Sequence, residues 1–129
     1  MKKPLWLNRE DCIAIHEMML SQHGGIDGVR DEGMLASALA KPRHRLAYGH
    51  PDLAELGASY AAGVVLNHPF FDGNKRTGFM LAAASLELNG LELTATEQDI
   101  VEHTVALAAG SLKEPAYAAW LRKNSKRRR

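Results

Sequence analysis

Two nearly uncharged segments, separated by eight mostly polar and aromatic residues, constrain this chain more than any other feature of its sequence. The first runs from Leu53 to Leu66, where Ala54, Gly57, Ala58, Ala61, Ala62 and Gly63 alternate with larger aliphatic residues. Small residues let neighbouring helices approach closely, so this stretch predicts a tightly packed helix capped by Asp52 and reaching about Asn67. The second, from about Lys75 to Leu88, is apolar on most sides of a helix (Phe79, Met80, Leu81, Ala82, Ala83, Ala84, Leu86) and closes at Asn89-Gly90. It is expected to be the buried, central helix.

The flanking sequence predicts further helices. Asn8 can cap one from about Arg9 to His23, ended by Gly24-Gly25. A short one fits Asp31 to Ala40, with Met34, Leu35, Ala38 and Leu39 on its apolar face and Pro42 stopping it soon after. The next residues, Lys41 to Pro51, have no sustained period and read as an exposed loop or short hairpin flap. Leu91 to Leu93 is short and extended, Thr96 with Asp99 opens a fifth helix to about Ala109, and Ser111 with Glu114 opens a sixth to about Lys123. The expected fold is all-α: a compact orthogonal bundle of five to seven helices, with the flap before the central pair. A chain of 129 residues can bury roughly two-thirds of its unfolded surface as one domain. That domain is expected over residues 1–122, followed by a tail over 123–129.

Composition excludes several classes. One cysteine, Cys12, cannot make an internal bridge, and its place beside Ile13 in an apolar-periodic stretch reads as core rather than as a nucleophile. The N-terminal apolar run, Leu5 to Leu7, is too short for a signal peptide, and the stretch from Leu56 to Phe71 falls short of a membrane span. A cytoplasmic protein with no membrane partner is expected. Residues 1–121 hold 10 basic and 15 acidic groups, a formal charge of −5, while six basic residues fall in the last eight positions. That tail lacks aromatic residues for stacking, so it reads as a solvated, disordered segment rather than a specific nucleic-acid site.

Chemistry concentrates between the two uncharged segments, in His68-Pro69-Phe70-Phe71-Asp72-Gly73-Asn74-Lys75-Arg76-Thr77. Gly73 permits a tight turn, and the amides after it open a helix whose unpaired N–H groups and dipole favour a phosphate. Lys75 and Arg76 add full charges there, the guanidinium as a fork and the ammonium as a point charge. His68 is the side chain whose ordinary pKa suits a general base at neutral pH. Asp72 is a hard oxygen ligand for Mg²⁺, or alternatively a partner that orients His68. Asn74 can hold the loop or a phosphate oxygen, while Pro69 and Phe70 look like scaffold. The other histidines do not fall in metal-ligand spacing, and no GxxxxGK(S/T) loop is present.

The stretch from His68 to Arg76 resembles the Fic/Doc family, whose signature is HPFx(D/E)GN(G/K)R, and matches it at every position. The segment Gly24 to Gly33, followed by Leu35-Ala36-Ser37-Ala38-Leu39, is similar to the N-terminal half of the Doc (death-on-curing) branch. The resemblance implies a Fic-like helical fold and a Mg²⁺- and ATP-dependent transfer onto a protein hydroxyl. His68 would be the base, Asp72 would sit near the metal or the base, and Arg76 would act with them. Gly73, Asn74, Lys75, Arg76 and Thr77 would hold the nucleotide.

Typical Fic proteins transfer AMP, carry Gly where this chain has Lys75, and carry a second Arg where it has Phe79. In Doc-like members that difference goes with transfer of the γ-phosphate, to a Ser/Thr hydroxyl of the translation elongation factor of the Tu class. The resemblance further implies a toxin of a toxin–antitoxin system whose antitoxin folds a disordered segment onto it, and a flap, here about Arg43 to His50, that aligns the target. No (S/T)xxxE(G/N) inhibitory motif occurs in the chain. The rival readings are a nucleotidyltransferase using the same loop and a catalytically silent binding module.

Overall fold

The computed structural model describes residues 3–128. Among these residues six helices and one small two-stranded sheet follow in the order α1 (Arg9–His23), α2 (Glu32–Ala47), α3 (Leu53–Asn67), α4 (Asn74–Leu88), β1 (Leu91–Leu93), α5 (Glu97–Ala109), α6 (Glu114–Lys123) and β2 (Ser125–Arg127). The fold is all-α in substance, and β1 and β2 pair antiparallel as its one sheet among the described residues. No described helix is long and apolar enough to cross a membrane.

Helix starts follow their side-chain caps. Asn8 and Asp11 form a reciprocal capping box at α1, and Asp52 and Glu55 form another at α3. Asp31 accepts from Met34 N–H at α2, and Thr96 accepts from Asp99 N–H at α5. The expected Ser111/Glu114 box is absent: Ser111 Oγ donates to Ala106 O, and α6 starts uncapped with a proline in its first turn, where a missing N–H costs nothing.

The central helix is α3, not α4. Every residue from Leu56 to Val65 is buried, whereas α4 buries one face, at Thr77, Gly78, Leu81, Ala82, Ser85 and Leu86. Alanines and glycines on all sides of α3 leave room for a neighbour in each direction. Ala54, Ala58, Ala61, Ala62 and Val65 face a cluster shared with α4, α5 and α6, while Tyr60 and Val64 face a second one shared with α1 and α2. Cys12 sits wholly inside the second, and burial pushes its thiol up to about 12, as befits a core residue.

Two expectations about chain course need correction. The flap is helical: α2 runs through Pro42 to Ala47, leaving only a connector at 48–52. An interior proline costs a helix about 3 kcal/mol. Here the Pro42 ring is itself buried, and the turns around it are tied outward. Lys41 Nζ bonds Glu114 of α6, Arg45 Nη1 reaches the same carboxylate at 2.9 Å, and Arg45 Nη2 reaches Glu55 of α3 at 3.0 Å. Glu114 is only 17% exposed in its side chain, so these pairs are better shielded than surface ones.

The basic tail is likewise ordered as far as it is described. Ser125, Lys126 and Arg127 pair with Leu93, Glu92 and Leu91, and Arg128 N–H donates to Gly90 O at 2.9 Å. Arg129, the last residue of that tail, lies outside the described residues. The opposite charge of Glu92 across from Lys126 suits the pairing.

Close approach of α3 and α4 depends on Gly78. A Cβ there would stand 2.5 Å from Val65 Cγ2 and 3.1 Å from Ala61 O. Alanine favours a helix interior over glycine by about 1 kcal/mol, but overpacking typically costs about 1–3 kcal/mol. Gly78→Ala should therefore destabilise the protein, lowering its thermal midpoint by several degrees. An unchanged or higher midpoint would show that the two helices separate easily.

Candidate active site

The site is built where α3 ends and α4 begins, across the six residues 68–73. His68 closes α3 in the left-handed region, φ 51 and ψ 57, the single non-glycine residue with positive φ among those described. Such a conformation costs an L-residue about 1–2 kcal/mol. It turns the chain so that Pro69 and Phe70 are buried while the His68 ring stays exposed with no hydrogen-bond partner among the described residues. Gly73, also left-handed at φ 77, starts α4.

Asn74 closes the loop on itself. Its Oδ1 accepts from Phe70 N–H and its Nδ2 donates to Phe70 O, both at 3.0 Å, in a buried setting. The side chain thus holds the loop, which leaves the Asn74 backbone N–H as its free donor. Thr77 also departs from its expected place. It is fully buried, it does not line the cleft, and its Oγ1 has no partner among the described residues.

A strap between α1 and α2 braces the same loop. Arg30 donates through Nε to His68 O at 2.7 Å and through Nη2 to Asn67 O at 3.0 Å, capping the end of α3 with a charge. Pro69 O accepts from Arg30 N–H and Asp31 N–H, and Phe71 N–H donates to Gly28 O. Ile26 N–H donates to Asp72 Oδ2 at 2.7 Å. Gly25 permits that approach, because at φ +124 a Cβ would crowd Asp72 Cβ at 3.1 Å. From α1, the buried His16 ring stacks on Phe70 at 3.7 Å, and its Nε2 lies 2.8 Å from Asp72 O.

What remains unengaged defines the chemistry. No hydrogen bond joins Asp72 to the His68 ring; one Asp72 oxygen is held by Ile26 and the other has no described partner. No side chain caps α4, so the amides of its first turn are free to bind an anion. Lys75 and Arg76 are exposed on that turn, and neither forms an ion pair among the described residues. These groups open onto a cleft of about 670 Å³ between the end of α1, α4 and α5, walled by Met19, Phe79, Met80, Ile100 and Val105. Phe79 serves twice, packing on the core and lining the cleft. A second cavity of about 670 Å³ lies on the other side of Asn67, between α2 and the connector to α3, bordered by His44, Arg45, Tyr48 and His50.

Sequence reasoning missed Arg30, Ile26 and His16. Ile26 acts through its own backbone N–H and the Arg30 guanidinium acts on backbone carbonyls, which no side-chain spacing announces. His16 did leave a signal, since it falls on the buried face of α1 between Cys12 and Met19. The strain at His68 yields a test: His68→Gly should stabilise the fold by about 1 kcal/mol, seen as a raised denaturation midpoint, because glycine adopts φ 51 without penalty. A lower midpoint would mean that the ring supports the loop.

Comparison with known proteins agrees with the geometry. The model of the Fic/DOC family matches residues 6–86, which span α1 to α4 and the whole motif loop. "Protein kinase doc" of Escherichia phage P1 is 30% identical over 118 residues, covering 91% of this chain and 93% of that protein. "Toxin Doc" of Mycolicibacterium smegmatis is 36% identical over 93 residues, covering 70% of this chain and 68% of its relative. With the family's helical fold, its motif intact and more than half of the sequence matched, this chain belongs to the Fic/Doc family.

Proposed function

We propose that this protein is the toxin of a toxin–antitoxin pair and a protein kinase, transferring the γ-phosphate of ATP to a Ser/Thr hydroxyl of a translation protein, the elongation factor of the Tu class. The observation that carries the reading is the uncapped N-terminus of α4, flanked by Lys75 and Arg76 without anionic partners. That donor set fits a polyphosphate, and the phage P1 relative's name supports a kinase.

A target hydroxyl reaching the exposed His68 ring at the cleft would give up its proton to it. The oxygen forms the new bond to the γ-phosphorus as the bond to the bridging oxygen breaks, ADP leaves, and the proton on His68 passes to solvent. The α4 amides and Arg76 stabilise charge on the transferring group, and Lys75 neutralises the leaving phosphate. The free Asp72 oxygen fits Mg²⁺ that takes its remaining ligands from phosphates and water, and no cluster of three or more acidic, His or Cys side chains offers a complete cage among the described residues. When bound, the ion would screen phosphate charge. His44, Arg45, Tyr48 and His50 would align the target segment, now from a helix end rather than a flap.

The name of the mycobacterial relative supports the toxin reading, and with it a cognate antitoxin whose disordered segment folds onto the chain. Exposed Phe71, Val101 and Val105 offer apolar anchors at the cleft rim. The setting would be the cytoplasm. Transfer of AMP is the second reading, and Phe79 disfavours it: the position that bears a second arginine in AMP-transferring relatives is apolar here and half buried in the core.

Incubating the protein and a bacterial extract with γ-labelled or α-labelled ATP tests the assignment. Label should enter protein from the γ-phosphate alone, and label entering from the α-phosphate alone would overturn it. His68→Ala should abolish transfer and growth arrest with little change in thermal midpoint. A fully toxic variant would remove His68 from the mechanism. Phe79→Arg, if folded, should gain some AMP transfer as phosphorylation weakens; an unchanged reaction would show that position 79 does not set the nucleotide's orientation.

A further inference from the structure

We infer that His16 is a positioning residue for the transfer reaction, holding the Asp72–Gly73 peptide so that the Asp72 carboxylate and the first amides of α4 face the cleft together. It lies outside the motif, on α1, and touches neither phosphate nor hydroxyl in the proposed reaction, on which this inference rests. Three observations converge on it. His16 is 1% exposed, though histidine is seldom so fully enclosed without a task for its ring nitrogens. Its Nε2 lies 2.8 Å from Asp72 O, so Nε2 carries a proton and donates. Its ring stacks within 10° of parallel on Phe70, at a centroid distance of 3.7 Å.

Asp72 is therefore fixed at two ends by two different elements: its carbonyl by His16 and its carboxylate by Ile26 N–H of the strap. Gly73 follows immediately in the left-handed region, where side-chain bulk gives no help in fixing the peptide. Without the His16 donor, Asp72 O would be left without its partner, and the peptide plane that sets the direction of the α4 amides could rotate. The stack on Phe70 alone cannot prevent this, because a ring face resists sliding far less than a hydrogen bond resists rotation of its acceptor. Misplacement of catalytic groups by about 1 Å can cost about 100-fold in rate. Outer partners that orient a site typically contribute about 10- to 100-fold.

Two substitutions separate donor from stack. His16→Phe keeps an aromatic ring on Phe70 and removes the donor, whereas His16→Gln keeps an N–H near the position of Nε2 and removes the stack. For a positioning donor, His16→Phe should lower kcat roughly 10- to 100-fold with a much smaller change in KM for ATP, and His16→Gln should stay within about tenfold of the parent. The reverse order, with Phe near the parent and Gln crippled, would show that only packing matters and overturn the inference. Should the variants not fold, ¹⁵N NMR of the imidazole in the unaltered chain decides: a proton on Nε2 is required, and an unprotonated Nε2 would refute the donor role. If the parent transfers a nucleotide instead of phosphate, the kinase reading fails while the Phe-to-Gln comparison still tests His16.

Discussion

The chain must leave a helix buried on every side and enter another packed against it with only six residues between them. Most of the architecture answers to that constraint. A turn so short needs two left-handed residues, His68 and Gly73, and it brings backbone N–H and carbonyl groups close to an apolar core. Those groups cannot be left unpaired at a cost of about 1–3 kcal/mol each. Asn74 serves Phe70, Arg30 serves Asn67 and His68, the strap serves Pro69 and Phe71, and His16 serves Asp72. Helix α1 and the strap after it thereby become a clamp on the motif rather than a mere share of the core.

Satisfying the loop's backbone in this way leaves other groups bare. His68, one Asp72 oxygen, Lys75, Arg76 and the uncapped start of α4 line the cleft without a partner among the described residues. Lys75 and Arg76 form no ion pair among the described residues, so their charge adds to the positive end of α4, the arrangement that the proposed phosphate site requires. The strain held at His68 fits the same arrangement: a glycine would relax it but would lack the ring that the proposed reaction uses as its base. On the other side of α3, the shielded contacts among Lys41, Arg45, Glu55 and Glu114 fix the end of α2, and with it the border of the second cavity.

Most helix starts and the place of the motif loop between two helices were legible in the sequence because each rests on local chemistry. Asn8, Asp31, Asp52 and Thr96 cap the helices that follow them, and the turn from His68 to Gly73 needs the residues it has. What was not legible depends on distant partners. Pro42 reads as a stop until Glu114, 72 positions later, is seen to hold the residues around it. The tail reads as disordered until its edge meets Leu91–Leu93. Thr77 and Asn74 lie in the motif by sequence, yet helical geometry turns one into the α3–α4 interface and spends the other's amide on Phe70. Arg30 and His16 act on carbonyl oxygens, which leave no trace in the pattern of side chains.

If the start of α4 holds phosphate, titrating the ¹⁵N-labelled protein with Mg-ATP should move its backbone amide resonances. The largest shifts should fall on Gly73, Asn74, Lys75 and Arg76, with smaller ones along the cleft wall of α4 and α5. Shifts confined to the region of His44 to His50, with the α4 amides unmoved, would contradict it.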